Sequence, residues 1–77
     1  MASVFYFHNG QTADSVRTLI KILEKLDEDT FKYHCNKDKN DFFSWLSIGL
    51  NDAKAAAAIK TVKTRKTMLT KLKQIKH

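Results

Sequence analysis

Seventy-seven residues suffice for one domain, and a chain of this size buries only about 60% of its unfolded surface, too little core to hold a deep catalytic cleft as well. The composition is 43% apolar and 29% charged with no proline, which excludes disorder over most of the chain. The net charge of +6 is unevenly placed: residues 1–53 carry six basic and eight acidic side chains, residues 54–77 eight basic and none acidic, an asymmetry that points to an anionic partner.

The chain opens with "SVFYFH", an aromatic β-prone run followed by Asn9-Gly10. Asn-Gly accepts the positive φ angles of a two-residue hairpin turn, so "QTA" is expected to return as a short strand. Asp14 or Ser15 can then cap a helix over about 15–26, where Val16, Leu19, Ile20, Leu23 and Leu26 form one apolar stripe. Asp27, with acids in the turn after it, predicts a second helix over about 28–36. "NKDKN" is a polar loop, and Asn40 caps a third helix over about 41–50, whose Phe42, Trp45, Leu46 and Gly49 share a face suited to the core.

Asn51-Asp52 and an alanine run then start a helix over about 52–62. It cannot run straight to the end. On one continuous wheel with Ile59 at zero, Ala55, Ala58 and Val62 lie at roughly 260–320°, but Met68, Leu72 and Ile75 at roughly 160–220°. Thr64 is a ready cap at the break, so a separate last helix is expected over about 65–76. The predicted fold is mainly α (α+β), a single domain over 1–77. It comprises a short N-terminal β-hairpin, a first helix and a compact remainder of four short helices.

With these elements placed, "YHCNKDKNDFFSWL" resembles the core motif of a family of uncharacterised small domains from archaea and some bacteria. The motif reads His34-x-Asn36, a polar loop, then Asn40-Asp41-Phe42-x-x-Trp45. "FYF" before the glycine turn, "DAKAAAAI" and "TRKTMLTKL" are similar as well, so the likeness covers nearly the whole chain. It implies the same fold and carries no activity or ligand to particular residues.

No apolar run approaches the ~20 residues of a membrane span, and "MASVFYFHNG" lacks the basic start of a signal peptide. With Cys35 as the single cysteine, no internal disulfide can form, and a cytoplasmic protein is expected. No phosphate loop, nucleophile elbow or paired catalytic carboxylates stand out, so no catalytic residue, cofactor or small-molecule substrate is assigned. The metal-ligating stock is Cys35 with His8, His34 and His77 at no recognisable spacing, so no metal is assigned either. Adjacent His34 and Cys35 point about 100° apart on a helix, which favours core packing for Cys35 over a nucleophile–base pair. His34 is expected to pin the loop before the tryptophan helix through Asn40 and Asp41, with Trp45 in the core beneath. Tyr6 fits either a core edge or a binding surface.

The remaining signal is the basic C-terminal segment. Lys71, Lys73 and Lys76 near a helix C-terminus have a bland electrostatic role, but Arg65 and Lys66 fall in a first turn, where cations are unfavourable. With the Thr64 and Thr67 hydroxyls they would make an anion site, and Lys63, Lys66, Thr70 and Lys73 line up as a phosphate-tracking stripe. The expected function is binding of DNA or RNA phosphates through Lys60, Lys63, Arg65, Lys66, Thr70 and Lys73. Replacing Arg65 and Lys66 by glutamate is expected to leave stability nearly unchanged. The runner-up is a protein-interaction adaptor using the hairpin's aromatic face. Lipid contact by the last helix is weaker, since its apolar face is needed by the core and no membrane role is expected.

Overall fold

In the computed structural model, which describes residues 3–75, strands β1 (Phe5–Tyr6) and β2 (Thr12–Ala13) pair antiparallel, Phe5 opposite Ala13 and Tyr6 opposite Thr12. The hairpin is as expected, but its turn is not the two-residue one. The Phe7 N–H donates to Gln11 O at 2.8 Å and the Gly10 N–H to Phe7 O at 3.0 Å, which makes a three-residue loop of His8, Asn9 and Gly10. Gly10 alone takes the left-handed conformation there, with φ +95°. Burial explains the choice of register. A two-residue turn would set Ala13 across from Tyr6, whereas the longer loop sets it across from Phe5, so that Phe5, Phe7 and Ala13 are buried and Tyr6 faces out.

Helix α1 (Val16–Leu23) starts at Ser15, whose Oγ accepts the Thr18 N–H at 3.2 Å, and it ends in a tightened turn before Leu26. Helix α2 (Glu28–His34) is capped by Asp27, which accepts the Thr30 N–H at 2.9 Å and its hydroxyl at 2.7 Å. It stops one residue before Cys35, where the backbone becomes extended to bridge Asn40. Helix α3 (Asp41–Ser44) is capped by Asn40 and continues as a π-helical turn, Trp45–Gly49. The predicted helix over 41–50 is therefore wider in its second half, and the Leu50 N–H reaches back to Trp45 O at 2.9 Å. A Cβ on Gly49 would lie 2.8 Å from Trp45 Cδ1 and 2.9 Å from Ser3 Oγ, so glycine is what lets this turn pass so close to the indole. Asn51, at φ +53°, ends it in the left-handed region.

Asp52 caps α4 (Ala53–Ile59), and Thr64 caps α5 (Arg65–Gln74), with the break where the wheel places it. Residues 76 and 77, including the predicted last turn's Lys76, lie outside the described residues. Helix α5 packs on α1 and α4, burying Met68 and Leu72, with Leu69 and Ile75 at the margin. The centre of the core is aromatic. Phe42 stacks between Phe5 (centroids 4.9 Å apart, 22° between planes) and Phe31 (5.6 Å, 19°), which joins hairpin, α2 and α3. The fold is thus mainly α with a small antiparallel β part.

The Thr30 hydroxyl and backbone N–H hold the Asp27 carboxyl below the usual carboxylate range. A proton therefore binds the unfolded chain more tightly at this residue, and the stabilisation is complete above the ordinary pKa and lost as pH falls through the lower folded value. Asparagine caps equally well but does not titrate. Asp27→Asn should show a shallower fall in Tm than the wild type between about pH 5 and pH 2, followed by circular dichroism. Parallel falls would show that the cap does not contribute through its charge.

Candidate nucleic-acid interface

His34 is buried at the C-terminal end of α2, and both ring nitrogens are engaged. Nε2 accepts the His8 backbone N–H at 2.9 Å, so the proton sits on Nδ1, which donates to Asp41 Oδ2 at 3.0 Å. The imidazole thus joins the hairpin loop to the first turn of α3, with Phe5 and Phe42 edge-on around it. Asn40 accepts the Phe43 N–H at 3.0 Å as the cap and donates through Nδ2 to Ile59 O at 3.1 Å. Trp45 is buried against Phe5. Cys35 is fully buried, its Sγ donating to Val62 O at 3.3 Å, and burial pushes its thiol pKa up, which makes it a packing residue rather than a nucleophile.

The six basic-segment residues do not stay together. Arg65 turns inward: Nη1 donates to Leu23 O at 2.7 Å, at the C-terminal end of α1, and Nε lies 3.6 Å from Glu28 Oε2. Its side chain is only 26% exposed. The guanidinium meets the carbonyl end of another helix, where a cation is favoured, which offsets its place in the first turn of α5. The expectation that its replacement leaves stability unchanged does not fit this geometry. Lys73 bonds Glu24 Oε2 at 3.0 Å, which ties it to the same helix end. Thr70 is exposed, and its hydroxyl bonds back to Lys66 O at 3.0 Å. Thr64 spends its hydroxyl on the cap, donating to Thr67 Oγ1 at 2.7 Å.

Lys60, Lys63 and Lys66 remain, exposed around the corner between α4 and α5 and without an ion pair among the described residues. The Asn40–Ile59 and Cys35–Val62 bonds lay this corner against the loop 36–40. That loop brings Lys37 and Lys39, the latter 3.1 Å from Asp41 Oδ2, and the exposed Asp38. In the sequence, "NKDKN" reads only as a polar loop. Its two lysines were visible, but their neighbourhood with a segment some twenty residues later is not a local property.

Among the described residues no helix is long and apolar enough to cross a membrane, and no three of His, Cys, Asp and Glu gather as metal ligands would. No family model, curated protein or solved structure matches the chain, so the functional reading rests on its own residues.

The capping contact predicts a contrast between neighbours. Arg65→Ala should lower unfolding free energy by about 1–3 kcal/mol, as for a charged hydrogen bond to a carbonyl. Lys66→Ala, fully on the surface, should change it by less than about 0.5 kcal/mol. Urea titration of both variants measures this, and equal small effects would deny Arg65 its role at the end of α1.

Proposed function

We propose that this protein is a small, non-enzymatic cytoplasmic module that binds DNA or RNA through its phosphates. The observation that carries the reading is the α4–α5 corner, where Lys60, Lys63 and Lys66 stand exposed and unpaired among the described residues beside Lys37. The distribution of acids supports it. Asp27 and Asp52 cap helices, Asp41 holds His34 and Lys39, and Glu24 and Glu28 face Lys73 and Arg65. None of these is directed at the corner lysines, which keep their charge outward, with Asp38 of the adjoining loop offsetting part of it. Lysine suits such a surface, because a flexible ammonium follows a phosphate backbone without demanding one geometry.

A second reading is a protein adaptor that uses the outer face of the hairpin. What favours it is Tyr6, 73% exposed, with Val4 beside it at 37%. Two residues make a small patch, and the charge argument is the stronger one.

Titration into labelled duplex DNA and structured RNA at several salt concentrations separates the two. Phosphate binding predicts a log–log slope of about −3 for three to four contacts. Changing Lys60, Lys63 and Lys66 together to glutamate should weaken binding at least about tenfold and leave Tm within a few degrees, because these side chains are exposed. Undiminished affinity in that variant would sink the corner as the site. Absence of binding at low salt would leave the adaptor reading, which a hairpin variant at Tyr6 would then probe.

A further inference from the structure

Two aromatic side chains outside the core are stacked on each other beside Lys39 of the loop 36–40. His8, in the hairpin loop, and Tyr33, on α2, have ring centroids 4.1 Å apart and planes 20° apart. Both are exposed, Tyr33 at 51%, and neither belongs to the hydrophobic core cluster. We infer that this pair is a platform on which an unpaired base stacks, so that the nucleic acid bound is single-stranded. The inference rests on the phosphate-binding reading above and names its substrate class.

The pair is held in place before any ligand arrives. The His8 N–H donates to His34 Nε2, and the Asn9 and Gln11 side chains bond each other across the loop at 2.8 Å. Tyr33 meets His34 edge-on at 5.0 Å, so both rings are braced by the same buried imidazole. The Lys39 ammonium lies 4.9 Å from the Tyr33 centroid. With Tyr33 behind it, the exposed imidazole of His8 can take a flat group on its other face, as the third ring of one stack. Stacking of this kind tolerates any base, because every base has a π-face. Bases within a duplex present edges and not faces, so only an unpaired base can use it.

The surrounding charges set the course of the strand. Lys39 lies at the Tyr33 ring, and the loop 36–40 that carries it and Lys37 is bonded to the α4–α5 corner through Asn40 and Ile59 O. Asp29 sits one turn earlier on the same face of α2 and repels phosphate from the opposite side. Asp38 opposes part of the loop's charge. On this proposal the backbone leaving a base stacked on His8 meets the lysines of loop 36–40 first and the corner beyond them.

The test compares an oligodeoxythymidylate, an abasic strand of the same length and a duplex, each titrated into the full chain. The wild type should bind the thymidylate about five- to a hundredfold more tightly than the abasic strand, the range for stacking one base. His8→Ala with Tyr33→Ala should erase that preference while leaving abasic-strand affinity and its salt slope in place. His8→Tyr, a larger ring, should keep or raise the preference. Equal affinity of the wild type for thymidylate and abasic strands overturns the platform and leaves the phosphate reading standing. Preference retained by the double alanine variant overturns it too. If no strand binds, the phosphate reading fails and the platform with it.

Discussion

The buried imidazole of His34 constrains more of this molecule than any other polar group. It sits among the edges of Phe5, Phe7 and Phe42, where an unpaired nitrogen would be severely penalised, and both nitrogens find partners on other elements. A backbone N–H from the hairpin loop requires Nε2 to accept, and the carboxylate of Asp41 requires Nδ1 to donate. The two demands are compatible in only one neutral tautomer. Position 8, position 34 and position 41 are thereby locked to one another. From Asp41 the polar path continues to its neighbour Asn40, which reaches Ile59 O, while Cys35 beside His34 reaches Val62 O. Hairpin, α2, α3 and the α4–α5 corner are thus joined by hydrogen bonds of the His34, Cys35 and Asn40 side chains.

That polar path explains why a chain with little core can still fix its loops. Loop 36–40 and the corner at 60–63 have few buried apolar side chains of their own, and Asn40 and Cys35 supply hydrogen bonds in their place. Most of the acids serve caps or ion pairs, and two of the paired cations, Arg65 and Lys73, differ in kind. Arg65 bridges Leu23 O and the Glu28 carboxylate with its planar fork, a task for guanidinium, and Lys73 makes a simple surface pair with Glu24. At the α4–α5 corner the cations left outward are lysines, since Arg65 is drawn into packing. A corner of flexible ammonium groups is suited to charge, not to bidentate reading of base edges.

Local features of this fold were legible in the sequence because they depend on neighbours. Caps at Asp27, Asn40 and Thr64, the apolar stripe of α1 and the break between α4 and α5 follow from spacing alone. The turn type was not, because Asn9-Gly10 suits a two-residue loop and only the burial of Phe5 with Ala13 selects the longer one. The π-helical turn depends on Gly49 passing the ring of Trp45, a contact with no signature in the periodicity. The role of Arg65 is hidden for the same reason. Its unfavourable place in a first turn is a local feature, but its compensation is a carbonyl on α1, forty-two residues earlier. Tyr33 did leave a trace, an aromatic on the polar face of α2 beside Lys32, and its stacking partner came from another element.

The candidate surface inherits its rigidity unevenly, and this bears on what it can distinguish. His8 and Tyr33 are both braced by His34, so a ring stacked on them meets a prepared face and loses little freedom in the protein. The lysines of the corner are anchored only at their backbones, through Ile59 O and Val62 O, and their long side chains can follow phosphates in several positions. On the proposed reading, affinity comes from the mobile cations and falls with salt, whereas the choice between paired and unpaired strands comes from the fixed rings and does not. A binding surface of this kind recognises a state of nucleic acid, an accessible base beside a phosphate chain, rather than an order of bases. Nothing more selective is required of a domain whose one rigid polar device is already committed to holding its own loops.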